Sequence, residues 1–151
     1  PQRAPQRQAY RLVELKRFSE ALGLPLHLQP AHFPVPGDNA ARLILAVDAH
    51  HGSDAAMQLT GAVMKAVWAE QRNINDAATL AQLLAECGLP EAAAADAQGD
   101  AVQQRYDQAT QQAFDAGVFG APSYVIDGEL FWGQDRLDFV ERRLAGAAPR
   151  P

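Results

Sequence analysis

The sequence predicts an α/β chain in which a long block of helices precedes a β-hairpin and one closing helix. Three observations carry that expectation. Apolar residues recur at helical spacing through most of residues 9–116, with glycine and proline punctuating the ends. Asp127-Gly128 then stands between two short apolar runs, the strongest two-residue hairpin signal. After Gly133 the helical spacing returns at Leu137, Val140 and Leu144.

Residues 1–8 (PQRAPQRQ) are polar and proline-interrupted, so no regular element is expected there. From about Ala9 to Leu22 the apolar positions Leu12, Leu15, Phe18 and Leu22 predict a helix closed by Gly23, with Pro25 beyond. Leu24 to Gln29 reads as a short strand. Pro30, Pro34 and Pro36 then impose a stiff, extended loop. Asp38 is expected to cap a helix with almost no polar face, hence buried all round, that His50-His51-Gly52 closes. Ser53 and Asp54 open another helix, with Met57, Met64, Val67 and Trp68 as its core stripe. Asp76 caps a third that ends at Gly88, and EAAAADAQGD reads as a low-complexity connector or helix fragment. A long helix over about residues 100–116 points Val102, Tyr106, Ala109 and Ala113 inward and stops at Gly117. Ser123–Ile126 and Glu129–Trp132 are the hairpin strands.

At 151 residues the chain fits one domain, or one domain carrying an insertion. A net charge of −5 argues against nucleic acid or an anionic membrane as partner. No apolar run approaches the roughly 18 residues of a membrane span. Cys87 is the single cysteine, so no Cys-x-x-Cys motif or internal disulfide lies in this sequence, which suits a cytoplasmic location.

The stretch FGAPSYVIDGELFWGQDRLDFVERRL sets a Gly-x-Pro corner before the hairpin and an Asp135-Arg136 pair after it. With PQRQAYRLVELKRFSEALGLPLHLQPAHFPV it resembles the 2-hydroxychromene-2-carboxylate isomerases, a DsbA-like thioredoxin-fold family related to kappa-class glutathione transferases. The fold class implied is an incomplete thioredoxin-like α/β domain with a helical insertion. Residues 1–37 and 118–151 would form the thioredoxin-like part, lacking its N-terminal β-α-β segment, and residues 38–117 the insertion. The family's active serine belongs to that segment, so no catalytic residue is expected in this chain; neither Ser19 nor Ser123 stands in its place.

The resemblance implies glutathione as cofactor. Pro122 would be a cis-proline, and Ala121 would offer its backbone to the cysteinyl part of glutathione. Gln134 and Asp135 would hold the γ-glutamyl end, Asp135 by pairing with its ammonium. Arg136 would orient the carboxylate or serve as an ion-pair partner, and Arg7 would touch a glutathione carboxylate. Phe33, Pro34 and Val35 would line a pocket for a small aromatic substrate. A homodimer is also implied. Thiol-disulfide oxidoreductase activity of the DsbA type, or a non-catalytic scaffold, are the alternatives.

The remaining candidates read more plainly. Adjacent histidines on a helix diverge by about 100°, so His50 and His51 are not expected to bind metal. His32 is a pocket-lining candidate and His27 a strand-surface residue. Cys87 reads as a small apolar packing residue, Met57, Met64 and Trp68 as core, and Trp132 as a core aromatic or a pocket wall.

Overall fold

The computed structural model describes residues 4–146. The chain divides into two compact units, Pro1–Gln103 and Gln104–Pro151.

The first unit opens with α1 (Pro5–Leu22), which begins earlier than its apolar spacing predicts. Pro5 is the reason. At the first helical turn proline's fixed φ is already helical, and its missing N–H has no helical partner to lose. Gly23 closes α1 in the left-handed conformation, φ 64°. The Gly23 and Leu24 N–H groups return to the carbonyls of Glu20 and Ser19, which satisfies the last turn. None of the described residues of α1 is buried.

The strand expected over residues 24–29 does not form. Pro25 and Pro30 supply no N–H, and no neighbouring strand is present among the described residues of this unit. The segment is instead pinned where the His27 N–H donates to the Trp68 carbonyl at 2.7 Å.

The hydrophobic core lies in the helices that follow: α2 (Asp38–His51), α3 (Ser53–Trp68), α4 (Ala77–Glu86) and the short α5 (Ala92–Asp96). Leu43, Ala46 and Val47 of α2 meet Leu59, Val63 and Ala66 of α3 in one buried cluster that extends to Leu83, Leu84, Ala93 and Ala97. Val102 joins this cluster from the start of α6 (Asp100–Asp115). α2 is not buried all round. Ile44 and Leu45 are half-buried, and Arg42 on the same helix reaches Oδ1 of Asn39 and Oε1 of Gln103. Two expected core residues of α3 are solvent-facing: Met57 is 68% exposed and Met64 55%. Each follows a buried residue, Ala56 or Val63, and one residue turns a helix by about 100°. Trp68 is half-buried.

Asp76 caps α4: its carboxylate accepts from the Thr79 N–H and hydroxyl, both at 3.1 Å. These bonds, the backbone one first, hold the carboxyl below its usual range.

The second unit holds the rest of α6, then a hairpin with a helix against it. β1 (Ser123–Ile126) pairs antiparallel with β2 (Glu129–Trp132), in register from Ser123 opposite Trp132 to Ile126 opposite Glu129. Asp127 (φ 50°) and Gly128 (φ 80°) are both left-handed, as a type I′ turn requires. A 3-10 turn (Gln134–Arg136) leads into α7 (Leu137–Leu144). Arg143 of α7 lies 3.2 Å from Asp127 and 3.5 Å from Glu129 across the hairpin. Val140 is buried, whereas Leu137 and Leu144, expected inward, are exposed. A two-stranded ribbon is too narrow to cover a helix face two turns long.

Leu59→Ala should lower unfolding free energy by about 2–5 kcal/mol in urea titrations, whereas Met64→Gln should stay within about 0.5 kcal/mol of wild type. Asp76→Ala should lower the thermal midpoint near neutral pH. A depressed native pKa contributes stability above the unfolded-state value and loses it as pH falls through the native value. The difference between wild type and variant should therefore close in acid, and a difference that persists there would contradict the cap.

Candidate functional site

The Gly-x-Pro corner and the charged turn form one substructure in the second unit. The Gly133 N–H donates to the Pro122 carbonyl at 3.0 Å, drawing the turn after β2 onto the corner before β1. Two glycines make this possible. A Cβ on Gly120 would lie 2.6 Å from Nε1 of Trp132, whose ring stacks on Phe119 with centroids 5.0 Å apart. Gly133 has φ 109°, and its Cβ would fall 2.5 Å from Oδ1 of Asp135. The Ala121–Pro122 peptide is cis, and the Ser123 hydroxyl donates back to the Gly120 carbonyl at 2.6 Å.

What this corner exposes is unspent hydrogen-bonding capacity. Ala121 is exposed, and neither its N–H nor its C=O has a partner among the described residues. Beside it, Asp135 and Arg136 pair with each other at 2.6 Å, both about half exposed. Arg136 thus acts as an ion-pair partner in this structure. Gln134 is exposed. Trp132, 51% exposed, is not the core aromatic its apolar context suggests.

A separate cleft lies within the first unit. Phe33 and Pro34, joined by a cis peptide, line an opening of about 670 Å³ with Gln8, Arg11, Leu12 and Gln29. Phe33 packs on Trp68 with ring centroids 4.7 Å apart and planes at 42°. The Arg11 guanidinium lies over both rings, 5.1 Å from the Phe33 centroid and 5.9 Å from that of Trp68. Val35 is half-buried against the helical core. It lines a second hollow of about 280 Å³ with His32, Phe33 and Pro34. Arg7 lines a third, of about 350 Å³, with Gln6, Tyr10 and Arg11.

Sequence reasoning missed Arg11 and assigned Trp68 wholly to the core. Arg11 reads as an ordinary polar-face residue of α1. The available signal was that Arg7 and Arg11 share a helix face with no acid left to pair them. Glu14, three residues after Arg11, is engaged: hydrogen bonds from Arg17 first and Tyr10 second hold its carboxyl below the usual range.

Among the described residues no three His, Cys, Asp or Glu side chains gather as a metal would require. His50 lies 4.0 Å from Asp96 across to α5. No helix of the described residues is long and apolar enough to cross a membrane.

The sequence profile of the DSBA-like thioredoxin domain matches residues 1–145. The chain belongs to the DSBA-like thioredoxin family. Its fold is accordingly the DsbA-like thioredoxin fold, as the corner, hairpin and closing helix imply. Within that family it is similar to two proteins named 2-hydroxychromene-2-carboxylate isomerase. The one from Sphingobium xenophagum is 32% identical over 88% of this chain and 66% of its own length. The other, from Pseudomonas sp. (strain C18), is 33% identical over 91% of this chain and 63% of its own. The chain therefore spans just under two thirds of these relatives. A solved structure of 2-hydroxychromene-2-carboxylate isomerase superposes with a TM-score of 0.71 at 27% identity, covering 93% of this chain and 70% of the other.

Cys87 is half-buried against the core, and burial first, then the neighbouring Glu86 charge, pushes its thiol up. A thiol reagent at neutral pH should modify Cys87 more slowly than free cysteine, with the gap narrowing as pH rises. A rate equal to that of free cysteine would contradict the placement.

Proposed function

We propose that this chain carries the cofactor-holding and substrate-lining parts of a glutathione-dependent cis-trans isomerase acting on an aromatic pyruvate or chromene carboxylate. The observation that carries the reading is the exposed N–H and C=O of Ala121, unpaired among the described residues, beside the Asp135–Arg136 pair. A backbone donor and acceptor side by side suit the peptide bonds of a tripeptide. An acid and a base next to them suit the zwitterionic γ-glutamyl end.

Residue by residue, Ala121 and Pro122 take the cysteinyl part of glutathione. Gln134 and Asp135 take the γ-glutamyl ammonium, with Asp135 exchanging Arg136 for the ligand, and Arg136 then faces the carboxylate. Arg7 supplies a further carboxylate contact, and Phe33, Pro34 and Val35 line the substrate pocket. Residues 1–37 and 118–151 act as the thioredoxin-like part and residues 38–117 as the helical insertion. A homodimer fits this reading.

Glutathione's chemistry in the reaction is that of a thiolate nucleophile. When bound, it would supply reversible thiolate addition to the conjugated double bond, which is the chemistry that permits rotation to the trans isomer. This chain's own residues bind and orient the tripeptide. The similarity to proteins named 2-hydroxychromene-2-carboxylate isomerase supports the reaction class. Thiol-disulfide oxidoreduction of the DsbA type is the alternative, and its cysteine pair would lie outside these residues, as would the isomerase's active serine.

Calorimetry with glutathione tests the reading. Asp135→Ala should weaken glutathione binding by about tenfold, the scale of one charge-assisted hydrogen bond. The dipeptide Cys-Gly, which lacks the γ-glutamyl end, should bind wild type and variant alike. No binding of glutathione to wild type, or an equal loss for both ligands, would sink the assignment.

A further inference from the structure

We propose that Arg11 is the residue that recognises the carboxylate of an aromatic acid bound in the cleft beside Phe33. This rests on the substrate class proposed above and assigns it a specific recognition residue. Three features of the first unit lead to it.

The first is what Arg11 does with its charge. Its guanidinium lies over Phe33 and Trp68, within cation–π range of both rings. Among the described residues it has no ion pair and no side-chain hydrogen bond. A cation–π contact uses the charge and not the N–H donors, so the guanidinium keeps a fork that matches a carboxylate in two parallel hydrogen bonds. The rings fix the side chain before a ligand arrives, so less freedom is lost on binding.

The second is the charge around it. Arg7 lies one turn away at i−4, and like charges at that spacing repel. The whole chain carries a net charge of −5, yet among the described residues these two cations have no acid partner. Glu14, the acid within reach on α1, is taken by Arg17 at 2.6 Å. An anionic ligand is the counter-charge such a spot lacks.

The third is the wall. The cleft of about 670 Å³ places Arg11 beside the apolar surfaces of Leu12, Phe33 and Pro34. That volume falls within the range of small-molecule sites, roughly 300–1,000 Å³. A flat apolar wall with one oriented cation at its rim selects a planar aromatic ring bearing a carboxylate, over either a neutral ring or a small aliphatic acid.

The test titrates the full chain with 2-naphthoate and with its neutral counterpart 2-naphthamide. Wild type should prefer the acid by about tenfold, or about 1.4 kcal/mol. Arg11→Met, with similar helix propensity, should erase that preference and leave naphthamide affinity unchanged. Arg11→Lys, which keeps the charge but loses the fork, should recover only part of it. Arg7→Met should leave the preference in place. Equal binding of acid and amide by wild type, a preference that survives Arg11→Met, or one that Arg7→Met abolishes instead, each overturns the proposal. Glutathione titrations of the same proteins keep the two readings apart. Any of these overturning results with glutathione binding intact removes the Arg11 assignment alone. An Arg11-dependent preference without glutathione binding leaves the carboxylate site standing and removes the isomerase reading.

Discussion

The close packing of α2 on α3 is the constraint on which the larger unit depends. Leu43, Ala46 and Val47 on one helix and Leu59, Val63 and Ala66 on the other are shut off from water, and α4, α5 and the start of α6 add to the cluster they form. Small side chains, alanine above all, let the two backbones approach while leucine and valine fill the space left between them. α1 buries none of its described residues, so its position owes nothing to a dry core of its own. The segment after it is tied to the helices by a backbone hydrogen bond to the end of α3, the tilted packing of Phe33 on Trp68 and Val35 against the core. The C-terminal end of α3 therefore does two jobs: Val67 faces the core, while Trp68 forms part of the wall beneath Arg11.

The second unit works differently, because it has little apolar mass to organise it. Its order comes from short-range geometry: a two-residue turn with both residues left-handed, a single backbone bond between Gly133 and Pro122, and glycines at two positions where a Cβ would strike Trp132 or Asp135. Such constraints place a few groups accurately without a large core. They also leave the Ala121 backbone at the surface with no partner among the described residues, which is the property a peptide-binding corner requires.

How far the sites could be read from the chain follows from the range of the forces involved. The Gly-x-Pro corner, the Asp-Gly turn and the Asp135-Arg136 pair fall within twenty consecutive residues, so their chemistry and spacing were legible directly. The place of Arg11 was not. Its neighbours Phe33 and Trp68 come from a proline loop and the far end of another helix, and no local pattern announces that an arginine on a polar face will lie over two rings. Met57 and Met64 show the converse, since apolar side chains at helical spacing imply a stripe but not which stripe the neighbouring helix will cover.

By itself the sequence determined the elements whose causes are local. These are the left-handed close of α1 at Gly23, the Asp76 cap, the type I′ turn at Asp127-Gly128 and the corner at Pro122. Each depends on backbone sterics or on a hydrogen bond only a few residues long. Only the tertiary structure decided that residues 24–29 remain without a strand partner, that α2 buries a face and not its whole surface, and which apolar residues of α3 and α7 meet solvent. Strand pairing and helix burial are properties of two surfaces at once, and the second surface is not written next to the first.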